Sequence, residues 1–219
     1  MRISVLETPE QAAEHAAVLV TGALAGGGHL SLAGGGTPRR TYELLAAGGD
    51  IEWGAVDLWF GDERCVPPDD PESNYRMVAE TLLPAAGAAR VHRIRGEDDP
   101  DAAAAAYEAE IAGIQLDLAL LGLGEDAHTA SLFPCSPALA ERERLAVPVT
   151  AVKPPPQRIT LTLPVFEVAR SVVVLAVGRG KADAVAAMCA GRDPKHPASL
   201  LPDGRTELVI DRSAAARMG

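Results

Sequence analysis

The chain has 219 residues, with 20 Lys+Arg against 30 Asp+Glu, a formal net charge of -10 and a pI near 5.0. That balance excludes a broad nucleic-acid surface, which needs clustered cations, and aromatics at 4% leave little for base stacking. Hydrophobic residues at 47% and charged residues at 23% exclude wholesale disorder, and the longest strongly apolar run, residues 172–177, is far short of a membrane span.

Strands and helices alternate along the chain. Residues 3–6 read as a strand and 9–24 as a helix with apolar positions at three- and four-residue steps. Residues 29–33 run extended into Gly34-Gly35-Gly36, and Thr37-Pro38 suits a helix start, with Thr37 as N-cap. That helix stops at Gly48-Gly49. A strand follows at 56–60, a helix at 73–83, a weaker strand at 91–94 and an Ala-rich helix at 101–114. Further strands are predicted at 117–121, 159–163, 172–177 and 208–210, with a helix at 181–190. The pattern predicts an α/β fold, a mostly parallel sheet with helices on both faces, in one domain over 1–219. A locally antiparallel C-terminal part is the one irregularity expected.

The N-terminus MRISVLETPE carries no apolar h-region and no cleavage pattern. Cys65, Cys135 and Cys189 are odd in number, far apart and without paired metal-ligand spacing, so a reducing cytoplasm is the expected setting. Metal binding is not expected.

In open α/β sheets ligands bind where strands end and helices begin. Four such ends carry unusual residues: Gly34-Gly35-Gly36-Thr37-Pro38-Arg39-Arg40, Gly61-Asp62-Glu63-Arg64, Gly122-Leu123-Gly124-Glu125-Asp126-Ala127-His128 and Gly178-Arg179-Gly180-Lys181. Glycines before Thr37 let backbone N–H groups approach an anion, and Arg39 and Arg40 in a first helical turn would be offset by one. A plain tight turn with solvated arginines is the competing reading. Lys181 is a candidate phosphate ligand, although no Walker pattern surrounds it. GLGEDA matches GxGxxA, but Pro134 interrupts the following segment and no acid ends a strand near 145–150, which disfavours a dinucleotide site.

His128 is the candidate general base. If Asp126 caps a short helix, the dipole keeps the first-turn imidazole neutral and able to accept a proton from water. Asp126 either orients the ring or only caps. Asp62-Glu63-Arg64 offers an acid/base or a substrate clamp, against a plain surface charge cluster. Arg158 either reaches the same anion or pairs with an acid. Cys65 and Cys135, lacking a local base, are read as inert thiols.

Taken together, SLAGGGTPRRTYELL, WFGDERCVPPDDPESNYRMV, LGLGEDAHTASLFP, PPQRITLTLPVFEVAR, GRGKADAV and the closing PASLL…LVID resemble the 6-phosphogluconolactonase family, within the glucosamine-6-phosphate isomerase/deaminase superfamily. The resemblance spans essentially the whole chain. It implies a Rossmann-like three-layer α/β sandwich, no cofactor, and hydrolysis of 6-phospho-D-glucono-1,5-lactone in the pentose phosphate pathway. By motif, Gly35, Gly36, Thr37, Arg158 and Lys181 would hold the phosphate. Arg64 would stabilise charge near the lactone, His128 would activate water and Asp126 would assist. Asn74 lies near this region without an assigned role. The implied partner is a phosphosugar lactone, not nucleic acid or a membrane, and a monomer or at most a weak dimer is expected.

Two positions depart from the family pattern. Gly36 stands where GGSTP is common, removing a hydroxyl, and Ala127 stands where DGH is common. A left-handed Ala127 would strain its turn by roughly 1–2 kcal/mol. A deaminase/isomerase within the superfamily is the rival activity, but its pattern has an aromatic after DE and a Glu soon after its His, both absent here. A non-catalytic sugar-phosphate sensor is the second rival, disfavoured by retention of His128 and Asp126.

Overall fold

The computed structural model describes residues 1–218. In chain order its elements are β1 (Arg2–Leu6), α1 (Pro9–Ala23), β2 (Gly28–Leu32), α2 (Gly36–Gly48), β3 (Val56–Phe60), β4 (Asp62–Arg64), α3 (Asn74–Thr81), β5 (Arg90–Val91), α4 (Pro100–Ile111), β6 (Leu118–Gly122), β7 (Ala146–Thr150), β8 (Gln157–Leu161), α5 (Leu163–Val168), β9 (Val172–Ala176), α6 (Ala182–Cys189) and β10 (Thr206–Asp211).

Seven strands form one sheet in the order β1-β10-β9-β6-β2-β3-β5, and every pairing is parallel. The strands β3 (VDLWF) and β9 (VVVLA) are buried at every position, as a sheet covered on both faces requires. The helices supply that cover. In α1, capped by Thr8 with Pro9 in its first turn, Ala12, Ala13, Ala16 and Val20 turn inward, and the helix packs against β10 and α2. Because all seven strands run the same way, the chain leaves β2, β3, β6 and β9 at one common edge. No helix among the described residues is long and apolar enough to cross a membrane.

A second sheet, β4-β8-β7, is antiparallel and pairs Arg64 with Arg158. The antiparallel part therefore lies mid-chain and not at the C-terminus, where β10 runs parallel between β1 and β9. The charged run Asp62–Arg64 has no strand signature of its own and is extended because β8 offers it partners. Pro148 masks β7, and it is tolerated because β7 is an edge strand needing fewer N–H donors. The strand predicted to reach residue 163 stops at Leu161, since Pro164 starts α5.

Two helix expectations are also corrected. The cap of α2 is Gly35 at φ 85°, with no side-chain hydrogen bond, so the Thr37 hydroxyl is not used as a cap. The short helix expected around Asp126 does not form: β6 runs into a turn in which Ala127 and Ala130 have φ of 60° and 48°.

Candidate active site

The turn after β2 is held from below by Tyr42, whose hydroxyl accepts from Ala33 N at 2.9 Å and donates to Ala33 O at 2.8 Å. Gly35 then adopts a positive φ that a side chain would strain, and α2 begins immediately behind it. The result is a helix N-terminus with free backbone N–H groups facing a cleft of about 230 Å³. Arg64, Asn74, Gly124, His128, Arg158 and Lys181 line the same cleft.

The cations in the cleft are short of partners. Arg158 is only 7% exposed, donates from Nε to Pro155 O at 3.2 Å, and lies 5.6 Å over the Phe133 ring. No carboxylate among the described residues pairs with it. Burial, and then the charge of neighbouring Arg64, push its guanidinium below the ordinary arginine value. Arg64 donates from Nη1 to Glu72 O and lies 3.7 Å from the exposed Glu72 carboxylate, while its buried Nε has no acceptor. Lys181, at the start of α6, also lacks a carboxylate partner among the described residues. Arg64 and Arg158 are register partners on β4 and β8, and Lys181 lines the same cleft, a cation set suited to receiving an anion.

His128 comes from the turn after β6. Its Nδ1 lies 2.5 Å from Asp126 Oδ1, which also accepts from the His128 backbone N at 3.2 Å. Gly124 donates its N–H to His128 O at 2.8 Å, and a Cβ at Gly124 would fall 2.0 Å from the ring. Glycine is thus required there for the imidazole to lie against its own loop. Phe133 braces the ring at a centroid distance of 4.8 Å. With Nδ1 committed to a carboxylate, Nε2 is the nitrogen left for other chemistry. Burial opposes ionisation of Asp126, but the hydrogen bond and charge of His128 outweigh it, and its carboxyl lies below the ordinary value. A wider outer cavity of about 1170 Å³, walled by Phe133, Pro137, Val147 and Val149, opens on the other side of His128 and Arg158.

Most of the chain matches known proteins. The model of the glucosamine-6-phosphate isomerase/6-phosphogluconolactonase family matches residues 7–210. The chain belongs to that family. A 6-phosphogluconolactonase of Mycobacterium tuberculosis is 42% identical over 206 residues, covering 85% of this chain and 83% of that one. One of Streptomyces coelicolor is 39% identical over 223 residues, covering 93% and 82%. A solved 6-phosphogluconolactonase of Leishmania guyanensis superposes with a TM-score of 0.88 at 28% identity, covering 100% of this chain and 98% of that one. The chain is an enzyme of the 6-phosphogluconolactonase type, with the Rossmann-like fold of the family.

Gly35, Gly36, Thr37, Arg64, His128, Arg158 and Lys181 are brought together around one cleft, and Asp126 joins them through His128. Arg39 and Arg40 are not. Arg40 is held by Glu10 of α1 at 2.7 Å and Glu43 of its own helix at 3.1 Å, and Arg39 faces Glu80 of α3 at 3.8 Å, so protein carboxylates, not a bound anion, offset their position in the first turn. The helix-dipole argument for His128 fails with the absent helix, and Asp126 acts on the ring directly. Glu63 is not in a surface cluster: 3% exposed, it accepts from the backbone N of Arg64, Asn74 and Tyr75 at 2.7–2.8 Å. Burial raises its pKa despite those bonds. Phe133, which touches both His128 and Arg158, carried no sequence signal beyond its place in the family motif. Burial pushes the Cys65 thiol up, in keeping with an inert residue.

Proposed function

We propose that this chain hydrolyses 6-phospho-D-glucono-1,5-lactone to 6-phosphogluconate, in the oxidative branch of the pentose phosphate pathway. The single observation that carries the reading is His128 Nδ1 at 2.5 Å from Asp126, in a cleft whose cations lack acids. The phosphate sits on the Gly35-Gly36-Thr37 turn with Arg158 and Lys181, which fixes the sugar ring at the far end of the cleft. Backbone N–H groups replace the hydroxyl that Gly36 lacks.

Asp126 accepts a hydrogen bond from His128 Nδ1–H, which leaves Nε2 unprotonated as the base. A water gives a proton to Nε2 while its oxygen bonds to the lactone carbonyl carbon, and Arg64 stabilises the negative charge that develops on the carbonyl oxygen. The tetrahedral intermediate collapses by breaking the bond from that carbon to the ring oxygen, which takes the proton back from Nε2. The product acid then ionises. No external redox partner or metal enters the balance.

All residues in this scheme come from one chain, so a monomer suffices. We read residues 1–219 as one catalytic domain, and the three unpaired cysteines fit a reducing cytoplasm. The test is an assay with freshly generated lactone, corrected for spontaneous opening and coupled to detection of 6-phosphogluconate. Turnover well above background is expected, and a rate equal to background refutes the proposal.

A further inference from the structure

One buried carboxylate in the cleft wall takes no part in this scheme. Asp62, 7% exposed, pairs with no cation among the described residues, and both of its oxygens are occupied by neutral donors. Oδ2 accepts from Ser131 Oγ at 2.5 Å, and Oδ1 accepts from Asn74 Nδ2 at 3.1 Å. The same Asn74 Nδ2 also donates to Asp62 O at 2.9 Å.

Each of these partners belongs to a different wall of the site. Ser131 is fully buried three residues beyond His128, and its N–H donates to Thr160 Oγ1 on β8, two residues beyond Arg158. Asn74 opens α3 and presses on the phosphate turn, where a Cβ at Gly34 would lie 1.8 Å from its Oδ1. Asp62 itself opens β4, which carries Arg64 two residues later. One carboxylate therefore touches the side chains that fix the His128 turn, the phosphate turn and the two arginine strands.

We propose that Asp62 is a positioning residue, setting the His128 turn against the phosphate-bearing walls through Ser131 and Asn74. A buried carboxylate with no cation is costly, and a neutral Asn in its place would occupy the same space at lower cost. What the charge adds is strength and direction in the hydrogen bonds it accepts. Asp62 does not touch the reacting atoms. Its effect passes through the placement of Nε2 relative to a substrate whose phosphate is already anchored, and misplacement by about 1 Å can cost on the order of 10²-fold in rate.

The inference rests on the proposed lactone chemistry, and its test separates the two. Ser131→Ala, Asp62→Asn and the double variant are compared with the parent for kcat, KM and affinity for 6-phosphogluconate, with melting curves alongside. Each single variant is expected to lose about 10- to 100-fold in kcat, with KM and product affinity within about twofold. The double variant is expected to be no worse than the poorer single one, because both cut the same tie. An unchanged kcat in folded Ser131→Ala overturns the proposal. So do multiplying losses in the double variant, or parallel loss of kcat and product affinity. Should Asp62→Asn fail to fold, the milder Ser131→Ala decides alone. The His128 ring resonances give a readout independent of turnover, and are expected to shift in Ser131→Ala and stay put in Ser136→Ala. A parent without lactonase activity refutes the chemistry, whereas unmoved resonances in Ser131→Ala refute the positioning.

Discussion

At the edge of the sheet where the strands begin, Asp57 on β3 holds Arg90 at 2.5 Å and His92 at 2.8 Å, Asp117 holds Arg170 at 3.1 Å, and Glu207 on β10 holds His15 at 2.8 Å. At the edge where the strands end, Arg158 and Lys181 have no acid among the described residues, and Arg64 has only exposed Glu72. The residue types are the same and the bookkeeping is opposite. At the first edge each of these acids has a basic partner in contact, and Trp59 stacks on His92 at 3.9 Å between centroids to complete a closed cluster. At the second edge the positive charge is left over, held in place by backbone carbonyls and an aromatic face. An acidic chain thus keeps a local cationic site by leaving Arg158 and Lys181 without a carboxylate partner, and an unpaired buried cation points to a ligand where a paired one does not.

The largest effect separating the two edges is expected at His128. His128→Ala should lower kcat by about 10²–10⁴-fold while 6-phosphogluconate still binds, measured by the coupled assay and by calorimetry. Undiminished turnover would mean that the base is elsewhere.

Next comes Arg158→Ala, which removes charge-assisted hydrogen bonds to the phosphate and should raise KM by about 10- to 100-fold. Its melting temperature should fall little, since no ion pair is broken. An unchanged KM would remove Arg158 from the anion site.

Asp57→Asn probes the opposite edge and should behave in reverse, sparing kcat and KM but lowering stability. Hydrogen bonds from Arg90, and then from His92 against the cost of burial, bring the Asp57 pKa from 3.8 down to about 2. A carboxyl with a depressed folded pKa contributes stability above its unfolded value and loses it as pH falls through the folded one. Allowing for exposure of Arg90, the contribution is about 1–2 kcal/mol. Denaturant unfolding should show that difference at pH 6 and a shrinking one between pH 4 and pH 2. A difference that is flat with pH would break the assignment.

The smallest effect is expected at Ala127. Relief of its positive φ in Ala127→Gly is offset by a lost buried methyl and a freer unfolded chain, so stability should change by less than about 1 kcal/mol. A loss above about 2 kcal/mol would show that the turn is not left-handed in solution.

How far the sequence reached can be judged from particular segments. Strands β3 and β9 were legible because a strand buried on both faces reads as an unbroken apolar run, and α2 ended at Gly49, φ 73°, as a glycine pair predicts. The segment Asp62–Arg64 was legible as chemistry but not as structure, because three charged residues have no periodicity and become a strand only when β8 pairs with them. Arg39 and Arg158 carried similar weight in the sequence. One is offset by a glutamate on another helix, and the other is left buried without a carboxylate partner.

By itself, the sequence determined the α/β alternation, the edge at which glycines, acid, histidine and cations gather, and the family. These follow from local rules: apolar period, turn residues and motif spacing act over a few residues each. Only the tertiary structure decided which cations stay unpaired, how His128 meets Asp126 without a helix, and that Asp62 joins three walls of the cleft. Those outcomes depend on groups far apart in the chain, such as Ser131 and Asp62 at 69 residues, whose meeting is set by strand order and register and not by any neighbour in the chain.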